Sequence, residues 1–281
     1  MLTVVLAIIG IWYLAAIWLN APRLLDQAER QGVDLSGTEL VAQAWNQDRP
    51  RLATPHQIGE NLWATVVETR ITSRRSLLYH TWVTLSVTLA AFATGAVFGT
   101  LLAVGMVYSR AMDASLMPWV IASQAVPIIA LAPMIIVVLS AIGLTGFIPK
   151  VVIATYLSFF PVVVGMTKGL RSPDPMQIDQ MRTWNATPAQ TFWRLRLPAS
   201  VPFLFTSLKV AIAAALVGTI VGELPTGAVA GLGARLLVGS QYGPQMIIWS
   251  ALIAAATLAA LLIIAVGITD RLVSRAMGAR P

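Results

Sequence analysis

The chain has 281 residues, of which 57% are hydrophobic and only 11% charged, with a mean hydropathy of +0.76. That leaves too little polar side chain to cover a soluble globule of this size, so the composition excludes an ordinary soluble domain and indicates an integral membrane protein. The net charge of +7 comes from basic residues set in loops between apolar runs rather than in one continuous stripe, which argues for membrane topology and against nucleic acid, and the absence of cysteine excludes disulfide and thiolate chemistry.

Crossing roughly 30 Å of hydrocarbon takes about 20 helical residues. Apolar runs of that length fall at 1–19, 82–107, 119–141, 147–167, 203–222 and 246–267, which predicts an all-α, polytopic protein with six transmembrane helices. The first run has no Lys or Arg before its apolar core and no clear small-residue cleavage site, so 1–19 reads as a retained span. Residues 20–80 then form an extracytoplasmic segment whose seven arginines are balanced by seven acids, and 81–281 form a five-helix core with a polar loop at 168–200.

Within the outer segment, residues 20–50 are polar and punctuated by Gly32, Gly37 and Pro50, which predicts a short helix plus irregular chain. Thr54-Pro55-His56-Gln57 is a helix start, with Thr as N-cap, Pro at the first helical position and Gln closing a capping box. Ile58, Leu62 and Val66 follow at i, i+4 and i+8 beside Trp63 and Val67. Two readings of this stripe stand side by side: an interfacial helix in the outer headgroup layer, or packing against the bundle. His56 and His80 have no carboxylate or histidine cluster near them in sequence, so no metal site is expected.

In the third span, Pro127 and Pro133 remove backbone donors, so the helix is expected to be broken or kinked where it faces protein or a cavity. Ser123 and Gln124 precede the first proline and can supply hydrogen bonds to a solute path, with close packing through small residues as the competing reading. After the fourth span, Ser172-Pro173-Asp174-Pro175 starts a short helix through about Arg182, and Trp184-Asn185-Ala186 makes a turn. Thr187-Pro188-Ala189-Gln190 repeats the earlier helix start and predicts a second helix from Pro188 to about Arg196, with Phe192 and Leu195 on the face of Ala189 and with Arg194 and Arg196 pointing elsewhere. Headgroup binding would suit the arginines. A helix, tight turn and helix, however, make a compact knob of the kind that docks into a partner's groove.

Farther on, Lys209 sits about two turns inside the fifth span, where its stem can snorkel, and Glu223 closes the outer end of that span. The glycine-rich stretch 227–243 is too apolar for a free loop, so it reads as a re-entrant or interfacial element that forms an outer gate with Glu223 or packs through its small residues. No Gly-x-x-x-x-Gly-Lys-Ser/Thr sequence occurs, so ATP is not expected to bind this chain, and no nucleophile, base and acid share a loop. With six spans, both termini share a side with the 108–118 and 168–200 loops. That side carries Arg110, Lys168, Arg171, Arg182, Arg194, Arg196, Arg271, Arg275 and Arg280, against Lys150 and Arg235 in the short loops opposite, so the termini and the 168–200 loop are expected to be cytoplasmic.

The loop's residues carry a family resemblance. Anchored on Leu195, Leu197 and Pro198, it resembles the coupling loop of ABC importer permeases, with Asp179 at that motif's acidic position and Asn185 at its glycine; Gln180 and Met181 replace its two alanines. Gln124-Ala125-Val126-Pro127-Ile128-Ile129-Ala130-Leu131-Ala132-Pro133, Phe159-Phe160-Pro161, Gly169-Leu170-Arg171-Ser172, Gly222-Glu223 and Gly231-Leu232-Gly233 resemble, in order, segments of the nitrate, sulfonate and taurine import group. The run at 224–228 is similar to importers of pyrimidine-type vitamin precursors. The resemblance covers about 52–270 and implies a type I ABC importer permease-like fold in a bacterial cytoplasmic (inner) membrane. It also implies a second, identical permease subunit, two ATPase subunits that bind ATP and Mg, and an extracytoplasmic solute-binding protein. Asp179, Asn185, Ala186, Thr187, Pro188, Gln190, Phe192, Leu195, Leu197 and Pro198 would then form the ATPase-coupling loop, and Ser123, Gln124, Pro127 and Glu223 the translocation path. An ion-coupled secondary transporter and a non-transporting membrane scaffold are the alternatives.

Overall fold

A computed structural model describes residues 2–32, 36–225, 230–241 and 245–278. Among these the regular structure is all helical: α1 (Leu2–Gln31), α2 (Gly37–Trp45), α3 (Pro55–Trp63), α4 (Leu77–Tyr108), α5 (Arg110–Ser123), α6 (Ile128–Ala141), α7 (Phe147–Leu170), α8 (Pro175–Thr183), α9 (Pro188–Thr191), α10 (Leu197–Glu223), α11 (Leu232–Gln241) and α12 (Met246–Ala276), with π-turns at Ala64–Glu68 and Phe192–Arg196. Five helices or helical rods are long and apolar enough to cross a membrane, and α5 with α6 makes a sixth crossing only if that pair, bent by 104°, counts as one span. The chain divides into two compact units, Met1–Val83 with Val229–Ala256, and Thr84–Ala228 with Thr257–Pro281.

In the first unit, α1 does not stop near residue 19 but continues to Gln31. Arg23 to Gln31 contains good helix formers, with Asp26 four residues before Arg30, and nothing breaks the helix until Gly32 takes φ 69°. Ala16, Asn20, Leu24 and Ala28 form its buried face at i, i+4, i+8 and i+12. The expected short helix and irregular chain after it are therefore an extended α1, then α2 opened by a Ser36–Glu39 capping box. The Ser36 hydroxyl and amide hold the Glu39 carboxyl below its ordinary pKa.

Asn20, wholly buried, organises this unit. Its Oδ1 accepts from the amides of Arg51 (2.8 Å) and Leu52 (3.1 Å), and its Nδ2 donates to the carbonyls of Ala44 (2.9 Å) and Leu52 (3.0 Å). The Trp12 indole donates to Ala53 O and the Gln57 side-chain amide to Gln47 O, so side chains meet several backbone groups of the irregular 46–53 chain, while the Trp45 indole donates to Tyr13 O of α1. His56 stacks on Tyr13 and hydrogen-bonds Tyr13 Oη and Asn46 Oδ1, while His80 Nδ1 accepts from the Gly231 amide and its Nε2 donates to Arg74 O. Both histidines thus act in packing.

The Ile58-Leu62-Val66 stripe does not persist as one α-helix, because α3 gives way to the π-turn at Ala64–Glu68. The Thr65 hydroxyl donates to Asn61 O at 2.6 Å and the Thr69 hydroxyl to Ala64 O at 2.8 Å, and this β-branched run rotates the face. Ile58 is buried, while Trp63 and Val67 are exposed.

The second unit is built on the packing of α7 against α10. Small residues let the backbones close: a Cβ at Gly165 would lie 2.5 Å from Ser207 Cβ, and one at Gly218 would lie 2.7 Å from Ala154 Cα. Val162, Met166, Leu170 and Ala211 bury there with Ala103 of α4, and Met106, Val120, Phe159 and Val163 form an adjoining cluster with α5. The third span is not a single crossing helix. Pro127 has no amide to donate to Ser123 O and disfavours helical backbone at residue 126, so α5 ends at Ser123 and α6 leaves at 104°. The Tyr156 hydroxyl takes up the freed Ser123 carbonyl. Helix α6 continues through Pro133, which does not break it.

Lys209 is not a snorkelling side chain alone: its Nζ pairs with Asp270 at 2.7 Å, an acid beyond the expected end of the sixth span that α12, continuing to Ala276, brings alongside.

Replacing Asn20 with Ala leaves buried amides and carbonyls of 44–52 unmet, a cost of about 2 kcal/mol or more. The variant should melt lower than the native protein in detergent and be cut sooner by trypsin after Arg51. Equal melting and equal cutting would show that Asn20 does not hold this segment.

Candidate functional site

Between α7 and α10 the chain builds a compact knob entirely from local signals. The Ser172 hydroxyl closes the end of α7 on Gly169 O at 2.7 Å. Asp174 caps α8, its Oδ1 accepting from the Met176 amide at 2.8 Å while Gln177 Oε1 accepts from the Asp174 amide, with Pro175 at the first position. At the other end, the Asn185 amide donates to Arg182 O (2.9 Å) and the Ala186 amide to Met181 O (3.0 Å), the paired bonds of a Schellman motif. Asn185 has φ 54°, and no other non-glycine residue among the described ones has positive φ, as its place at the left-handed position of that motif requires. Thr187 then caps α9: Gln190 Oε1 accepts from the Thr187 amide at 2.8 Å and Thr187 Oγ1 from the Gln190 amide at 3.3 Å.

The second helix does not stop at Arg196 as the sequence predicts. Helix α9 passes through the π-turn at Phe192–Arg196 straight into α10, making one helical rod from Pro188 to Glu223. Pro198 lies just beyond the π-turn, and the rod continues through it. The π-turn also redistributes the expected face. Phe192 and Leu197 pack on the Val162-Met166-Leu170-Ala211 core, Leu195 is half-buried, and Ala189 is exposed. Phe192 and Leu197 therefore anchor the knob.

Its outer surface comes from residues the sequence reading did not single out for contact: Met176, Trp184 and Trp193, with 77%, 67% and 66% of their surface exposed. Large apolar side chains on a polar loop are the signal that was available. Asp179 is also exposed and pairs with Arg182 at 3.0 Å, while Met181, standing where the motif has alanine, fills the knob's interior. Arg194 is exposed, but Arg196 turns inward, donating to Leu170 O at 2.9 Å with its guanidinium 6.0 Å from the Tyr108 ring.

The path candidates lie apart along the chain. Ser123 and Gln124 end α5, the Gln124 side-chain Nε2 donating to Ser123 Oγ at 3.3 Å, and Pro127 precedes α6 at its N-cap position. Glu223, at the end of α10, is wholly buried and accepts from the Thr84 hydroxyl at 2.9 and 3.1 Å; one turn away, Thr88 donates to Thr219. A largely apolar cavity of about 290 Å³ lined by Ile129, Ala132, Pro133, Val221, Leu224 and Pro225 separates α6 from this end of α10. Residues 226–228 of the 224–228 run, and 227–229 and 242–243 of the glycine-rich stretch, lie outside the described residues.

Asn185→Gly should preserve the turn, whereas Asn185→Val, forced into a left-handed conformation, should cost about 1–2 kcal/mol. Faster trypsin cleavage after Arg182 in the valine variant alone is the expected result.

Residues 95–278 match the family described as the binding-protein-dependent transport system inner membrane component. A probable ABC transporter permease of Haemophilus influenzae is 28% identical over 81% of this chain and 91% of its own length. The riboflavin transport system permease RibX of Chloroflexus aurantiacus is 29% identical over 80% of each chain. The formylaminopyrimidine transport permease ThiX of Halalkalibacterium halodurans is 33% identical over 55% of this chain and 60% of its own length. An inward-facing structure of the MetNI methionine ABC transporter superposes with a TM-score of 0.63 at 20% identity, over 70% of this chain and 95% of the other.

Proposed function

The chain belongs to the family of binding-protein-dependent transport system inner membrane components, ABC-importer permeases rather than enzymes, and on that premise we propose that the 174–197 knob is its docking element for a separate ATPase. The exposed Met176, Trp184 and Trp193 carry this reading, because large apolar side chains on a short, rigidly capped loop suit a partner's groove. Two identical permease chains would enclose the path, with two ATPase subunits binding ATP and Mg on the side of the knob and a solute-binding protein on the other. Closure of the ATPases around ATP would push the knob and re-orient α10, which is continuous with it.

The solute we propose is a small heteroaromatic vitamin or vitamin precursor, in line with the cargo named for the riboflavin and formylaminopyrimidine relatives. Ser123, Gln124 and Pro127 at the α5–α6 break and Glu223 at the end of α10 would line or gate its path. An ion-coupled carrier is a weaker reading, since the Lys209 charge is compensated by Asp270 rather than standing alone in its span.

Ala186→Trp and Asp179→Arg test the docking element. Both should leave the permease inserted and folded but reduce its co-purification with the ATPase, and uptake, by about tenfold or more. Normal complex formation and uptake from both would sink the proposal.

The proposed orientation puts the knob in the cytoplasm. In this cysteine-free chain, Ser36→Cys should react with a membrane-impermeant maleimide in intact spheroplasts, and Met277→Cys only after lysis. The opposite pattern would place the knob where no ATPase is found.

A further inference from the structure

The knob is joined to the rest of its unit at the corner between α4 and α5. Only Ser109 separates these helices; its hydroxyl accepts from the Met112 amide at 3.3 Å, and Asp113 N donates to Ser109 O at 3.0 Å. A Cβ at Gly105 would lie 2.7 Å from Met112 Cε, so the corner closes tightly on itself. The knob and the exit of α7 beside it each reach this corner. The Tyr108 ring takes Phe192 edge-on at 6.1 Å and the Arg196 guanidinium at 6.0 Å, with its hydroxyl 3.5 Å from Pro188 O. At the exit of α7, Arg171 Nη2 pairs with Asp113 Oδ2 at 2.9 Å and reaches Met106 O at 3.5 Å.

A purely stabilising role does not explain Asp113. Its pair with Arg171 is part-exposed, at 32% and 45% of the side chains, where ion pairs contribute little to stability. What the two contacts do supply is a mechanical link. Helix α5 packs through Val120, Leu116 and Met117 on Met106, Phe159 and Val163, and it ends in the 104° break into α6. A push on the knob therefore reaches α5 at its first turn and, through it, the one bent helix pair among the described residues that is long and apolar enough to count together as a span.

We propose that Tyr108 and Asp113 are positioning residues that receive the knob's displacement, through Phe192 and Arg196 and through Arg171, and deliver it to the α5–α6 pair. The inference rests on the reading of the knob as the ATPase-docking element. It adds the route by which docking is felt in the membrane, and it makes α6 the element that answers to ATP.

A spin label at Met134→Cys, on an exposed position of α6, tests this in the complete permease–ATPase complex in liposomes, with Mg-ATP and vanadate as the only additions. In the native background the label's mobility should change on trapping. In Tyr108→Leu and Asp113→Asn, with the ATPase still bound and still hydrolysing ATP, the amplitude should fall about five- to tenfold, within the usual range of coupling between sites. Tyr108→Phe, which keeps the ring, should respond as native, and the swapped pair Asp113→Arg with Arg171→Asp should recover most of the amplitude lost in Asp113→Asn. Full amplitude in both Tyr108→Leu and Asp113→Asn, loss of the ATPase from those complexes, or a silent α6 in a native complex that hydrolyses ATP would each overturn the inference. An Ala186→Trp permease that keeps its ATPase and its α6 response would overturn the docking reading alone.

Discussion

The close approach of α7 and α10 is the contact on which the functional unit depends. In a bilayer, apolar helices gain nothing from hiding from water, so association rests on packing density, and that requires backbones near enough for side chains to interlock. Gly165 facing Ser207 and Gly218 facing Ala154 meet that requirement at two levels of the pair. The consequence lies outside the interface. The exit of α7 and the entry to α10 are adjacent, joined by the Arg196 side chain on Leu170 O, so the chain between them must leave and return at nearly one point. Two short capped helices and a Schellman turn satisfy that demand, with the amides of Trp184, Asn185, Ala186 and Thr187 all hydrogen-bonded.

Several polar groups in the apolar helices follow the same rule, that a buried donor or acceptor needs a partner. Glu223 and Thr84 meet between α10 and α4; Thr88 and Thr219 repeat the arrangement one turn away; Lys209 meets Asp270; and Tyr156 takes the carbonyl that Pro127 cannot serve. These contacts cross between helices, so they register one helix against another where apolar packing alone would allow sliding. In the first unit Asn20 does the same for irregular chain, with its amide group meeting four backbone groups of 44–52.

The π-turn at Phe192–Arg196 shows how a small local change redirects a site. In an unbroken α-helix, Arg196 would share the face of Ala189 and Phe192, at seven and four residues on, and Leu197 would lie well off it. One wider turn sends Phe192 and Leu197 into the core, brings Arg196 over Tyr108, and leaves Trp193 outward. Such turns occur often at functional sites, since they cost a little helix stability and rotate everything beyond them.

The sequence by itself determined what depends on a few adjacent residues or on composition. Membrane residence follows from 57% hydrophobic content, the helix starts at Thr54, Asp174 and Thr187 from their proline and glutamine partners, and the left-handed turn at Asn185 from the tolerance of that side chain for positive φ. Tertiary structure decided the rest, because it turned on partners far away in the chain. Asn20 is met by backbone groups 24 to 32 residues on, the 104° bend that Pro127 opens is completed by a tyrosine 33 residues beyond Ser123, and Lys209 is compensated by an acid 61 residues away. Periodicity and capping are readable over one or two turns of helix. Which face is buried, which carbonyl is met and which charge is paired depend on what the fold brings alongside, and spacing along the chain carries no record of that.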